Sequence, residues 1–505
     1  MKTKLPLAVV TFALLVSSLP LARGAGITII THGFNGNVDD WIIPMAQRIP
    51  GYDTFPGSSF SCYQISVASD YSLSVSRIAG VSPLVSDSGE IIIKLDWSSR
   101  ADDPFNASQD IANAVVPSLL STTFVPELAG RSLAEFPIHL IGHSRGGSVV
   151  TEMARLLGRE GVWVDHQTTL DPAPISQYGD ADVHTFINVL FADNYWQMNS
   201  DSLCPNGQSL LGAFNRYLES LPNGYSCDHS DVHLWYHGTI DWSHTPATDT
   251  GATITSSERA TWCTSCESQG HIAGFCYSLI GGGNRLSVDE PAGAGTGRIR
   301  DGYNQIWDFG AGISANRTVL TSNGSWPNIV RFDILTVQPV VQGDDFSLNY
   351  FFQFNQAATQ NATIQVFLDD DANPYNGNQG QIFQSIEPGA GTNVVQRQFS
   401  INSSNTPPGQ YYIYAQIVYG THTRYLHAPG RLIVRSPLTL EIVRLGAQVV
   451  INWPTNADGF ILESTAALLL PNSWLPVIPA PFITNGLNTV TNTIGNGSLF
   501  YRLKK

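Results

Sequence analysis

As far as about Pro327, short apolar runs rich in β-branched residues alternate with segments of helical period. The runs Ile27–Thr31, Ile91–Asp96, Ile138–Ile141, Val164–Leu170 and Phe186–Phe191 predict strands, and their alternation with helices predicts an α/β domain with a parallel sheet. From Asn328 to about Arg435 the helical period disappears. Phe346–Phe352, Ala362–Leu368, Tyr411–Val418 and Leu432–Val434, separated by Gly, Pro, Asn and Asp, predict an antiparallel, Ig-like sandwich. Ser436-Pro437 opens a last block, with Leu438–Leu445, Gln448–Trp453, Phe460–Ser464 and Leu499–Leu503 as the strands of a smaller β-module. The expected order is therefore a leader (1–24), an α/β domain (25–327), a β-sandwich (328–435) and a small β-module (436–505), with no internal repeat.

Composition narrows the function. The chain has 505 residues, 43% of them hydrophobic, which is ample for packed cores and excludes a largely disordered protein. Only 13% are charged, and the formal charge is −15. Beyond Lys2 and Lys4 the only lysines are Lys94, Lys504 and Lys505. Such a surface repels phosphate backbones, which argues against nucleic acid as a partner. Lys2 and Lys4 precede the apolar stretch Leu5–Leu19, closed by Pro20 and Ala22-Arg23-Gly24, the pattern of a secretory signal peptide. The stretch is short for a bilayer span and no second one follows, so a secreted protein without a transmembrane segment is expected. Export makes disulfides a natural use for the six cysteines.

The sharpest chemical signal is Gly142-His143-Ser144-Arg145-Gly146, which follows the strand Ile138–Ile141. Val149, Val150, Met153, Leu156 and Leu157 then mark one face of a helix. Gly-x-Ser-x-Gly between strand and helix is a nucleophile elbow. The glycines admit a turn too tight for side chains, Ser144 sits exposed in a strained conformation, and the helix amides face a developing oxyanion. Upstream, Ile27–Thr31 ends in His32-Gly33-Phe34, so the Phe34 amide is the expected partner of the Arg145 amide in an oxyanion hole. His32 reads as a structural side chain at the base of that loop, because it precedes Ser144 whereas such folds order nucleophile, acid, base.

Two residues compete as the orienting acid. Asp171 follows Val164–Leu170 and Asp193 follows Phe186–Phe191, each at a strand's C-terminal end. Two compete as the base, His229 and His233 in Cys227-Asp-His-Ser-Asp-Val-His233. Four residues apart, the histidines could share a helix face and a metal, but Ser230 stands where the metal motif needs a Glu, so no metal is expected there.

Taken together, the residues from Ile27 to Ile240 resemble the pancreatic-lipase-like branch of the α/β-hydrolase superfamily. The resemblance lies in Thr31-His-Gly-Phe34 with Trp41, Leu95-Asp-Trp97, Gly142-His-Ser-Arg-Gly146, Leu170-Asp-Pro-Ala173, and Cys-x-His229 with Trp235 and Tyr236. It implies an α/β-hydrolase domain followed by two all-β modules, the latter similar to those of secreted bacterial proteins. It also implies the triad Ser144, Asp171 and His229, with Asp193 and His233 as alternatives. Because the family brackets its lid with two cysteines, it implies a Cys204–Cys227 disulfide. Between these cysteines Leu210, Leu211, Phe214, Tyr217, Leu218 and Leu221 fall at helical intervals, suggesting either an amphipathic lid over an acyl pocket or a helix packed on the core. Once the expected leader is removed, the mature chain would depart from the family by beginning almost at the oxyanion strand, and it departs also in its C-terminal modules.

Two further groupings invite a ligand. Cys263-x2-Cys266-x4-His271-x4-Cys276 has zinc-knuckle spacing, but in an exported, acidic chain disulfides that include Cys62 are the simpler expectation. Asp369-Asp-Asp371-Ala-Asn373-Pro-Tyr-Asn376-Gly377 clusters oxygen ligands suited to calcium, although Pro374 stands where an EF-hand needs glycine and a polar hairpin turn would also use this sequence. The expected protein is a monomeric, cofactor-independent serine hydrolase acting on an acyl lipid or polymer ester. An esterase or depolymerase targeted to a polymer by its β-modules is the first alternative. A non-catalytic binding protein and a peptidase on the same fold are the others.

Overall fold

The computed structural model describes residues 26–49, 60–199, 204–240, 257, 274–277 and 317–504, apart from 355–359, 378–379, 389–393, 429, 456–458, 469–473 and 485. The expected leader lies outside these residues. The chain forms two compact units, one of residues up to 338 with 346–401 and 410–432, the other of 339–345, 402–409 and 433–505.

The first unit begins with β1 (Ile27–Thr31), α1 (Ile42–Arg48), β2 (Ser61–Val67), β3 (Leu73–Gly80), β4 (Ile91–Asp96), α2 (Ser108–Leu120), β5 (Ile138–His143), α3 (Arg145–Arg159), β6 (Val164–Leu170), β7 (Val189–Trp196), β8 (Phe214–Tyr217) and α4 (Asp228–Gly238). The strands form one sheet in the order β3-β2-β4-β1-β5-β6-β7-β8. All pairs are parallel except the β2–β3 hairpin. β1 is buried throughout because both faces are covered. Ile29, Ile93 and Leu140 pack beneath α2 and α3. Ile30, Ile92 and Ile141 pack beneath α1 and α4. The edge beyond β4 is filled by β2 and β3, which follow β1 in sequence rather than precede it. β7 differs from its expected bounds: it runs from Val189 to Trp196, so Asp193 lies inside the strand and not beyond it.

The strands that follow are β9 (Pro327–Ile334), β10 (Val340–Val341), β11 (Asp345–Phe354), β12 (Ala362–Asp369), β13 (Gly380–Glu387), β14 (Val395–Asn402), β15 (Gly409–Tyr419), β16 (His422–His427) and β17 (Leu432–Arg435). β14, β11 and β9 form one sheet, and β16, β15, β12 and β13 pair in another. Phe346, Leu348, Tyr350 and Phe352 alternate inward from β11, as do Ile364 and Val366 from β12.

This sandwich shares its compact unit with the parallel sheet, and polar contacts join the two. Arg424 donates to the Trp163 carbonyl and to Asp165, each at 3.1 Å, and that ion pair is buried. Asn328 accepts from the Trp163 amide at 3.0 Å and donates to the Gly161 carbonyl at 2.9 Å. Tyr375 donates to Glu135 at 3.0 Å and packs edge-on against Phe136.

In the second unit β10 pairs in parallel with β17. β18 (Glu441–Leu445), β19 (Gln448–Pro454), β20 (Ile461–Thr465), β21 (Leu475–Pro476), β22 (Phe482–Thr484), β23 (Leu487–Thr493) and β24 (Phe500–Lys504) make two small sheets, β18-β19-β23-β22 and β21-β20-β24. Ile451, Trp453, Leu462 and Val490 form the core there, and the Arg502 guanidinium covers Trp474 at 4.3 Å. Among the described residues no helix is long and apolar enough to cross a membrane.

Candidate active site

Ser144 joins β5 to α3 with φ 58° and ψ −127°, a conformation that costs a non-glycine residue about 1–3 kcal/mol. Backbone bonds hold it there. Its amide donates to the Leu170 carbonyl at 2.9 Å, and its carbonyl accepts from Gly147 at 2.9 Å and Ala173 at 3.2 Å. The flanking glycines are required by space: a Cβ on Gly142 would stand 2.3 Å from the Gly146 carbonyl oxygen, and one on Gly146 would stand 2.4 Å from that of His32.

Arg145 anchors the first turn of α3. Its fully buried guanidinium donates twice to Asp180, at 2.7 and 2.8 Å, and also to the carbonyls of Ala101, at 2.8 Å, and Asn106. The paired geometry and the extra acceptors offset the desolvation of both charges. Its amide faces the loop after β1, where a Cβ on Gly33 would lie 3.0 Å away. Neither this amide nor that of Phe34 has a hydrogen-bond acceptor among the described residues. His32, buried at the loop base, donates from Nδ1 to the Gly33 carbonyl at 2.9 Å, accepts the Trp97 amide at Nε2 at 3.2 Å and stacks on Trp97.

Asp171 follows β6 with φ 46°, and His229 is the second residue of α4. Nδ1 of His229 donates to Oδ2 of Asp171 at 2.5 Å. Oδ1 accepts the Gln197 amide at 2.8 Å, and Oδ2 also accepts Nε2 of Gln197 at 2.7 Å. Gly207 sits so close that a Cβ there would be 2.0 Å from Oδ1. The carboxylate is thus fixed on both oxygens, while Nε2 of His229 has no hydrogen-bond partner among the described residues. Ser144 and His229 line one cleft of about 260 Å³, together with Asn35, Asn37, Asp40 and Trp41.

Of the alternative residues, Asp193 sits away from the cleft, whereas His233 lines it together with Ser144 and His229. Asp193 is buried in mid-sheet, where it accepts from His166 at 2.9 Å, Thr168 at 2.6 Å and Tyr195 at 3.0 Å. Those donors let an acid occupy the middle of β7, which explains why the strand runs past Phe191. His233 stacks on Trp41 with ring centroids 4.4 Å apart and meets His143 edge-on. Burial, reinforced by neighbouring histidines, holds His143 and His233 well below the ordinary imidazole range. His143 donates from Nε2 to the His229 carbonyl at 2.9 Å, tying the elbow to α4.

A disulfide joins Cys204 to Cys227. The segment it brackets is not the helix that its apolar spacing suggested. Phe214–Tyr217 form β8, which pairs in parallel with β7. Leu210, Phe214, Leu218 and Leu221 are buried, while Leu211 and Tyr217 are 74% and 45% exposed. The free edge of β7 supplies the reason, because pairing satisfies backbone groups that a helix would leave open. Asn215 adds to this by bonding to both the amide and the carbonyl of Leu210, each at 2.7 Å. Cys62 is a buried thiol of β2, pushed up to about 11 by burial, and contrary to expectation it has no disulfide partner among the described residues. Cys263, Cys266 and His271, and the side chain of Cys276, lie outside the described residues.

Sequence reasoning missed Gln197 and Asp180. Gln197 carried a usable signal, as a polar residue just past the strand next to β6. Asp180 lies in a loop, and only the fold brings it to Arg145.

No protein-family model matches the chain, and no curated protein does. Similar solved structures include a presumed cell surface hydrolase of Lactobacillus plantarum, at 15% identity and a TM-score of 0.23 over 36% of this chain and 72% of the other. They also include a superoxide reductase (neelaredoxin) of Ignicoccus hospitalis, at 17% identity and TM-score 0.15 over 21% and 80%. A CARDB domain of Pyrococcus furiosus in complex with di-metal ions matches at 11% identity and TM-score 0.16 over 22% and 97%.

Proposed function

We propose that this protein is a secreted serine hydrolase of the α/β-hydrolase type that cleaves esters through an acyl-enzyme. One arrangement carries the proposal: a serine strained at an elbow shares a cleft with a histidine whose far nitrogen is held by a doubly anchored carboxylate. His229 takes the Ser144 proton at Nε2 as Oγ attacks the ester carbonyl. Asp171 keeps the imidazole in the Nδ1–H tautomer and stabilises the cation. The Phe34 and Arg145 amides receive the oxyanion. His229 then protonates the leaving alcohol, and water activated by the same nitrogen releases the acid.

The cleft favours a short or polar acyl group over a long alkyl chain, since Asn35, Asn37, Asp40 and several histidines line it and the neighbouring segment is a sheet edge. Export belongs to the same proposal, and a disulfide at Cys204–Cys227 suits an oxidising compartment. An organophosphonate tests the chemistry. Stoichiometric labelling that disappears in Ser144→Ala, with turnover of p-nitrophenyl acetate exceeding that of the palmitate, is the expected result. Labelling that persists in Ser144→Ala would refute it.

A further inference from the structure

The turn after β12 carries three consecutive carboxylates that the proposed hydrolysis does not use. Asp369, Asp370 and Asp371 each bring an oxygen within 4.8 Å of the others, and they pass from buried through exposed to half-buried. Asp369 is 1% exposed. Its Oδ1 accepts the Asp371 amide at 3.3 Å, but its buried Oδ2 has no hydrogen-bond partner among the described residues. A buried carboxylate with an empty acceptor, facing two others of its kind, is costly unless a positive charge joins it.

We propose that this turn binds one divalent, oxygen-preferring cation of the calcium class, with Asp369 as the buried ligand and Asp370 and Asp371 as its companions. The spacing suits such an ion, because ligands on opposite sides of calcium, each at about 2.4 Å, stand about 4.8 Å apart. The donors are carboxylate oxygens, which disfavours zinc and copper, and water completes the six to eight ligands that calcium takes. Asp371 is already oriented, accepting the Asn373 amide at 2.8 Å and the Asn376 side chain.

The position suggests a purpose. Immediately after the acids, Ala372 donates to the Asp87 carbonyl at 3.0 Å, and Asn373 donates to the carbonyls of Pro83 at 2.6 Å and Ser86 at 2.5 Å. These bonds fasten the sandwich to the loop before β4. A cation at the turn neutralises the charge beside this seam and steadies it.

Full-length protein stripped with EDTA and desalted is titrated with calcium by calorimetry and followed by thermal unfolding. We expect one equivalent to bind, with a rise in Tm that EDTA reverses and a smaller effect from magnesium. Asp370→Asn, at an exposed position, weakens binding at least tenfold while leaving the metal-free Tm within a degree or two. Asp369→Asn abolishes binding and raises the metal-free Tm, because the orphaned charge is gone. The proposal is overturned if calcium, magnesium and manganese all fail to bind wild type at millimolar concentration. It is equally overturned if binding survives unchanged in Asp370→Asn, which carries the test should Asp369→Asn not fold.

Discussion

Gly33→Ala probes the oxyanion loop with a single methyl group. The added Cβ would stand 2.5 Å from Cβ of Ser144, 2.9 Å from its Oγ and 3.0 Å from the Arg145 amide. Carbon atoms rest comfortably at about 3.5 Å or more, so the loop must retreat by about 1 Å. Gly33 does not occupy the left-handed region, and alanine therefore adds no backbone strain of its own. The retreat carries the Phe34 amide away from the position that an oxyanion would take. Misplacement by 1 Å costs about 10²-fold, and loss of one oxyanion donor about 10²–10³-fold. We expect kcat/KM on p-nitrophenyl acetate to fall by about 10²–10³, a loss of about 3–4 kcal/mol in transition-state stabilisation. Overpacking should lower folding stability by only about 1–3 kcal/mol. Kinetics, thermal unfolding and phosphonate titration on the same preparation separate these effects, since labelling still reaches one equivalent but more slowly. A folded Gly33→Ala enzyme as fast as wild type would refute both the loop's role and the assignment of Phe34.

Gln197→Leu removes one donor from the Asp171 carboxylate but keeps the backbone bond, so kcat should drop about tenfold at constant KM, as befits a hydrogen bond to a charge. Arg424→Met leaves the buried Asp165 carboxylate, which also accepts the Ile138 amide at 2.8 Å, without its guanidinium and should cost about 3–5 kcal/mol in urea unfolding; recovery in the double variant with Asp165→Asn is the diagnostic result. Replacing Cys204 and Cys227 with alanine opens a loop spanning 23 positions and should lower stability by about 3 kcal/mol, with activity falling too because Cys227 caps the helix that carries His229. Burial pushes Asp231 up to about 6, so between its unfolded value near 4 and pH 6 the native state holds a proton that the unfolded chain has released; stability should fall by up to about 3 kcal/mol as pH rises through that window, and urea midpoints that stay level from pH 4 to 7 would contradict this.

Uninterrupted apolar runs were the legible part of the fold. β1 and β4 have the bounds expected from sequence because apolar residues dominate them and both faces are buried, and β6 keeps its expected bounds although Asp165, His166, Gln167, Thr168 and Thr169 are polar, since these are buried and hydrogen-bonded to neighbouring segments. β3 escaped notice because it lies at the sheet edge with most of its residues exposed, so its sequence carries little apolar signal. The segment around β8 misled for a different reason. Phe214 and Leu218 are four residues apart, and a spacing of four returns to the same face in a helix and in a strand alike. Leu211 would have decided between them: a helix places it with Leu218 seven residues later, yet Leu218 is buried and Leu211 is not.

The candidate site divides along the same line between local and long-range information. The elbow is local, and its glycines, strand and helix lie within 22 residues of chain, Ile138 to Arg159. The proposed acid and base come from distant segments, and among the described residues two histidine–aspartate pairs are directly hydrogen-bonded, His229 with Asp171 and His166 with Asp193. Hydrogen bonding alone does not distinguish them, since both are short and buried. Their surroundings do. His166 is fully enclosed between His139, stacked at 4.1 Å, and Phe191, so no substrate can reach it. His229 lines the cleft and turns an unpartnered nitrogen away from its carboxylate. A couple of the first kind satisfies the polar interior of a sheet, whereas one of the second kind can move a proton to and from a reacting group. Access to the cleft therefore separates the two roles. Access depends on where β7 ends and where Cys204–Cys227 holds the start of α4, and neither can be read from the spacing of the residues themselves.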